Sequence, residues 1–348
     1  MDLERAPVRG GLVSDAVLRV GLDLDGSLES LSNSMLDLAT ALSERGDLEL
    51  VRFRTLSKPQ SPDEVRLPLR GFWAPWWRRS RGRALDAMLP PVDVIHLAGP
   101  ATPPTKGVPL LISVDDLRPL RSEDRMHQRV VQLQRAVQRG AVLVVSSRAA
   151  SHEVKSVLGL ERPEIVVVRP PVGHVDLTRD GTALVVSVTG LSELFDALAE
   201  DLAAFVQRHQ TKLIVIASST LSQRLRASGS TATIVERRYA ADALAQARCV
   251  VHISDGARFP SFAVAALAAG VPTLARATAI NRELLNGAAA IIHHDEEIMA
   301  SLEDLWINEP RRAILVAAGL ARAADFSPWT VASAYANLYA VVAQRSRV

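Results

Sequence analysis

Along this chain, short apolar runs alternate with longer stretches in which apolar residues recur every three or four positions. In the first half the runs 17–23, 48–54, 92–98, 109–114, 141–146 and 164–168 are mostly continuous rather than alternating, the pattern of strands covered on both faces. Between them, Leu31, Met35, Leu38 and Leu42 mark one face of a helix, and 124–139 and 149–158 predict two more. The rhythm stops at Arg169-Pro170-Pro171 and a polar stretch reaching Gly181, which reads as a linker. It restarts with strands expected at 183–188, 212–217, 232–235, 249–254, 273–275 and 289–293, and helices at 191–207, 239–247 and 262–269. The last third is helical. Pro310 and Pro328 each suit a first helical turn, and Val331, Tyr335, Leu338 and Val342 form one stripe of a final helix.

Strand–helix–strand repetition predicts βαβ units with right-handed crossovers. The expected class is α/β, with two doubly wound Rossmann-like domains at 1–172 and 173–327, their parallel sheets facing across a cleft, and a closing helix at 328–348. Such sheets bind ligands beyond the carboxyl ends of their strands. A chain of 348 residues, 48% hydrophobic, can bury two cores of that size.

Charge and cysteine content narrow the classes of function. The formal net charge is +2, and Lys58, Lys106, Lys155 and Lys212 are the only lysines, so there is no lysine block and no nucleic-acid partner is expected. Cys249 is the only cysteine, which rules out an intrachain disulfide and a multi-thiolate metal site. The opening MDLERAPVRGGLVSDA lacks the apolar core of a signal peptide, and no apolar run reaches the roughly 18–20 residues of a membrane span. A cytoplasmic location is expected, or a peripheral one at the inner membrane face. For the latter, the segment Phe72-Trp73-Ala74-Pro75-Trp76-Trp77-Arg78-Arg79 has two readings. Trp73, Trp76 and Trp77 either meet a membrane surface or anchor a packed segment with solvated arginines.

Two constellations invite a catalytic reading. Asp23-Leu24-Asp25-Gly26 after an apolar run resembles the first motif of haloacid-dehalogenase-type phosphatases, in which one Asp attacks phosphorus and the second is acid/base. Ser146 or Ser147 and Lys155 would follow in order. No acidic pair for the metal follows, since Asp115-Asp116 lies upstream, and a plain strand-to-loop turn accounts for the same residues. His293-His294-Asp295 suggests metal ligands, but neighbouring residues on a strand point to opposite faces, so it reads as a loop and no metal is expected.

From Leu18 to about Val342 the chain resembles the retaining glycosyltransferases of family 4. Pro91–His96 matches "PDVVH", Val114-Asp115-Asp116-Leu117-Arg118-Pro119-Leu120 matches "VHDL.PL", and the stretches 141–159 and 165–172 match in order. In the second half, ARCVVHIS at 247–254 resembles "ADALVFPS", FAVAALAAGVP at 262–272 resembles "PVLEAMACGTP", and 281–289 and 324–329 follow in register. The resemblance implies the GT-B fold, with a nucleotide-sugar site in the second domain, an acceptor site shaped by the first, and a last helix that returns to the first domain. It also implies retention and no bound cofactor, the nucleoside diphosphate sugar being the donor substrate.

The catalytic pattern departs from the family at several points. Where the family reads "EGFGLPVLE", both glutamates are alanine, Ala257 and Ala265, and Asp255 two residues upstream is a partial substitute. No Arg or Lys follows the strand at 183–188, although such cations offset the charge of the leaving diphosphate. Asp115 replaces the family's His, and Ser30 and Ser32 stand for its paired glycines.

Other residues are candidates for what remains. Gly256, Arg258 and Ser261 lead into an apolar helix whose amino end suits a phosphate, or Ser261 caps that helix and Arg258 is solvated. Arg237 and Arg238 either replace the missing cations or lie on a solvated loop. Glu283, at the family's "PE" position, contacts nucleotide or steadies its helix. Asp116 orders a turn, and Asp115 is a candidate ligand contact. The leading expectation is transfer of a sugar from a nucleoside diphosphate sugar to a saccharide or lipid-linked acceptor. The alternatives are a catalytically inactive homologue acting as scaffold or regulator of a partner protein, and the phosphatase.

Overall fold

The computed structural model describes residues 17–25, 34–79, 81–98, 101–121, 123–161, 163–173, 181–190, 192–227, 232–236 and 240–345. They form two compact units, one holding the residues up to Pro171 together with Pro328 onward, the other holding Val172–Ser327.

In the first unit the order is β1 (Leu18–Asp23), α1 (Ser34–Ser43), β2 (Leu48–Phe53), α2 (Arg70–Trp77), β3 (Val94–Leu97), β4 (Leu110–Ser113), α3 (Arg118–Arg121), α4 (Glu123–Gln138), β5 (Val142–Val145), α5 (Arg148–Leu158) and β6 (Ile165–Val167). All pairings are parallel, in the order β2-β1-β3-β4-β5-β6. β3, β4 and β5 are buried along their whole length, as their continuous apolar runs predict. Loop chemistry fixes the helices: Ser147 accepts from the Ala150 amide at the start of α5, and Gly159 ends it in the left-handed region.

The second unit runs β7 (Ala183–Thr189), α6 (Ser192–Arg208), β8 (Lys212–Ala217), α7 (Ser219–Ala227), β9 (Thr233–Glu236), α8 (Ala240–Gln246), β10 (Ala247–Ser254), α9 (Ser261–Ala268), β11 (Thr273–Arg276), α10 (Ala279–Leu285), β12 (Ala290–Ile292), α11 (Ile298–Ile307) and α12 (Glu309–Ala323). Its parallel sheet has the order β12-β11-β10-β7-β8-β9. The chain winds outward from β7 in one direction and from β10 in the other, so the reversal point lies between these two strands. The closing helix α13 (Pro328–Arg345) belongs to the first unit, where Val331, Tyr335, Leu338, Tyr339 and Val342 join the core of Val20, Leu22, Leu38 and Leu42.

Helices α2, α3, α7 and α10 lack a counterpart in the sequence reading. In α7 only Leu221, Leu225 and Ser222 turn inward, too few for a periodic signal. In α2, Pro75 and three tryptophans argue against a helix, yet one forms because Leu69 adopts a left-handed conformation (φ 51°) that turns the chain. Trp77 then drops into the core and its indole N–H donates to the Arg83 carbonyl at 3.0 Å. Trp77 is therefore a core residue and not one that could meet a membrane surface. No helix among the described residues is long and apolar enough to cross a membrane.

Candidate functional site

In a doubly wound sheet the reversal point is where two loops part and leave room for a ligand. In the second unit that point is flanked by the loops after β7 and β10, whose last residues Thr189 and Ser254 are register partners. The Asp255 amide donates to the Thr189 carbonyl (3.1 Å), so the two chains leave the sheet together. Gly190 then adopts φ 81°, and a Cβ built on it would lie 2.0 Å from Asp255 Oδ2 and 2.4 Å from Cγ. The Asp255 carboxylate thus rests directly on the Gly190 backbone, which only glycine permits. Its other oxygen, Oδ1, accepts from the Ala257 amide at 2.9 Å. Gly256 (φ 69°) is wedged on the other side. Its amide donates to Ser254 Oγ (3.1 Å), and a Cβ there would meet Thr278 Cβ at 2.7 Å. Thr278 in turn caps α10 by accepting from the Asn281 amide.

Arg258, half-buried, follows this wedge, and α9 begins at Ser261. Pro260 occupies the cap position, and no side chain caps the helix. Ser261 is thus the first helical residue rather than its cap, and its amide donates to Phe259 O at 2.9 Å. First-turn amides without a side-chain cap carry partial positive charge, which favours an anion. Ala257 is 0% exposed and Ala265 3% exposed, so the loop and helix hold buried methyl groups at these two positions.

Asp255, Gly256, Arg258 and Ser261 therefore share one loop and helix start. Glu283 sits half-buried in the last turn of α10, at the far end from Thr278. Its carbonyl and that of Leu284 accept from Arg322 Nη2 (3.0 Å) and Nε (2.9 Å), which caps the helix from α12. Arg237, Arg238, Ser30 and Ser32 lie outside the described residues.

In the first unit β4 runs out into Asp115 and Asp116. Asp116 accepts from the Arg118 amide (3.0 Å) and pairs with its guanidinium (Nη2, 2.8 Å), which closes the turn into α3. Asp115 is half-buried beside it. Burial, and then the charge of Asp116, push its carboxyl up to about 6. Behind it lies a polar network that the sequence did not disclose. His96 of β3 meets Tyr339 Oη through Nδ1 (2.7 Å) and Ser113 Oγ through Nε2 (2.9 Å), and Ser113 also hydrogen-bonds Tyr335, whose ring stacks on the imidazole at 5.2 Å. Burial holds the His96 pKa down at about 3, so the ring is neutral, and burial followed by the Asp115 charge raises that of Tyr335. Only the stripe of α13 hinted that its tyrosines face inward.

The phosphatase residues have other employment. Asp23 accepts from the Asp25 and Thr55 amides (3.1 and 3.3 Å), and Asp25 from the Leu56 and Ser57 amides and the Ser57 hydroxyl. Ser147 is the cap of α5, and Lys155 is exposed on it. Asp295 pairs with Arg276 (2.7 Å), and no group of three or more His, Cys, Asp or Glu that could hold a metal ion occurs among the described residues.

No family model matches the chain, and no curated protein matches it. Solved structures do. Sucrose-phosphate synthase from Thermosynechococcus elongatus superposes with a TM-score of 0.68 at 14% identity, over 93% of this chain and 99% of that one. WaaG, a glycosyltransferase involved in lipopolysaccharide biosynthesis, gives 0.65 at 13% identity over the same shares. HepE of Anabaena, solved in complex with UDP-glucose, gives 0.65 at 15% identity over 93% and 99%. The chain thus has the two-sheet parallel α/β fold of GT-B glycosyltransferases.

Proposed function

We propose that this protein binds a nucleoside diphosphate sugar and transfers its sugar, with retention at the anomeric carbon, to a hydroxyl of a saccharide or lipid-linked acceptor. The observation that carries this reading is the loop 255–261, which brings Arg258 to an α9 start without a side-chain cap, beside the reversal point of a sheet with GT-B topology. HepE is a neighbour solved with a donor of this class.

In the proposed reaction the bond from the anomeric carbon to the diphosphate breaks and a bond to the acceptor oxygen forms on the same face. The acceptor proton leaves with the diphosphate. Negative charge grows on the leaving group, and the α9 amides with Arg258 are the groups that offset it. Ser261 and Gly256 line the same turn, Asp255 holds a donor hydroxyl, and Glu283 contacts the nucleotide. Arg237 and Arg238 supply further cations. The second unit is the donor half, and the first, with Asp115, is the acceptor half. Asp116 serves by ordering the turn that carries Asp115.

The test is release of nucleoside diphosphate from a panel of donors with mixed alcohol and saccharide acceptors, the product anomer being read by NMR. Turnover with retention is expected, and Arg258→Ala should lower it roughly a hundredfold. Absence of turnover with every donor, in protein that is folded, contradicts transfer.

One specific observation favours a second reading, a non-catalytic relative that serves as a scaffold for a partner protein. Methyl groups stand at 257 and 265, and the Asp255 carboxylate rests against the start of the Gly190 turn, where the family places cations. Donor binding without turnover would support that reading.

A further inference from the structure

Between Arg66 and Arg83 the chain carries six arginines (Arg66, Arg70, Arg78, Arg79, Arg81 and Arg83) and no Asp or Glu. All but Arg70 are exposed, and Arg70 is half-buried with a guanidinium donating to the Leu56 carbonyl. Among the described residues no carboxylate pairs with any of the six. Amid this charge stand three large apolar side chains in water: Leu69 is 70% exposed, Phe72 62% and Trp76 47%.

Phe72 and Trp76 are one helical turn apart on α2, so they share a face. Trp77, on the opposite side, fastens the helix to the core. Trp73 lies between, half-buried, edge-on to Phe72 at 4.9 Å. The arginine segment then folds back. The amides of Arg79 and Arg81 both donate to the Trp76 carbonyl (2.9 and 3.0 Å), and Gly82 passes so close that a Cβ there would touch Trp76 Cβ at 3.0 Å. The backbone thereby sets the cations around the exposed indole.

We propose that this face docks on the surface of a lipid bilayer that carries anionic headgroups. The occupant is argued from charge and shape together. Six cations with no acidic partner among the described residues complement a field that is negative over its whole area, and each arginine near such a surface strengthens partition roughly fivefold. Phe and Trp side chains that protrude from a fixed helix enter the headgroup–acyl boundary, where a ring is better accommodated than in water. This surface is independent of the donor site and stands whether or not the chain transfers sugar.

Co-sedimentation of the full chain with vesicles tests it. Vesicles of phosphatidylcholine with about one-third phosphatidylglycerol should bring the protein down, vesicles of phosphatidylcholine alone should not, and about 1 M salt should release it. Phe72→Ser with Trp76→Ser should weaken binding at least tenfold with an unchanged melting curve, because both side chains already lie in water. Arg78→Gln with Arg79→Gln and Arg81→Gln should weaken it and flatten its salt dependence. Failure to sediment with anionic vesicles, or unchanged binding by either variant, overturns the proposal. So does release by about millimolar free glycerophosphate, which would point to a soluble anion site instead.

Discussion

Asp23 and Asp25 face each other through the hydroxyl of Thr55, which lies 3.0 Å from one carboxylate and 3.1 Å from the other. A hydroxyl has one proton to give. A proton on Asp23, donated to Thr55 Oγ1 while Thr55 donates to Asp25, satisfies all three groups. Consistent with this, burial and then the Asp25 charge push the Asp23 pKa up to about 7. The native state thus holds a proton that the unfolded chain loses near 3.8. This contribution is constant below that pH, erodes stability as pH rises from about 4 to 7, and is fully lost above 7, at a cost of at most about 4 kcal/mol. His96 slopes the other way. Its pKa of about 3 keeps it neutral when folded, so its contribution is present above the unfolded value of 6.5 and lost as pH falls toward 3. Because the two overlap, the wild-type profile alone does not separate them. Asp23→Asn, which mimics the protonated acid, should remove the downward limb. Urea midpoints taken between about pH 4 and 8 should therefore show the variant gaining on the wild type as pH rises. Parallel profiles would contradict the assignment.

At the scale of elements, the strands of both sheets were legible because a parallel strand covered on both faces is a continuous apolar run. β7 and β10, buried almost throughout, are the plainest cases. The candidate site was legible only where it is local. Asp255, Gly256, Arg258 and Ser261 are close in sequence and fall on one loop. By contrast, the contact of Asp255 with Gly190 depends on the register of β10 beside β7, and the His96–Tyr339 bond joins residues 243 positions apart. Nothing in composition or period encodes either. The same holds for α2, which depends on one left-handed residue and one buried indole. The loop contact makes a sharp expectation. Gly190→Ala is strained by its positive φ and also meets the Asp255 carboxylate. It should cost about 3 kcal/mol or more alone, and about 1–2 kcal/mol less when combined with Asp255→Ala, which leaves mainly the backbone strain. A double-mutant cycle from denaturant unfolding measures the coupling. Additive costs would mean that the two residues do not touch.

At the scale of the molecule, superposition over 93% of this chain and 99% of sucrose-phosphate synthase or WaaG, at 13–14% identity, means that the architecture outlasts the residues. Such a fold hosts chemistry through its loops, and the fold by itself does not name a reaction. Here the loop 255–261 carries half-buried Asp255 and Arg258 and buried Ala257 to the start of α9, where no side chain caps the helix. The central claim is that a nucleoside diphosphate sugar binds at that loop. Its most direct test is the thermal midpoint of the purified chain against UDP, GDP, ADP and dTDP sugars. At about 100 times its Kd a ligand adds roughly 2.7 kcal/mol, a shift of about 4 °C if the chain melts as one unit. A shift selective for one base and abolished by Arg258→Ala is the expected result. No shift with any donor at about millimolar concentration, or a shift that Arg258→Ala leaves intact, would contradict it.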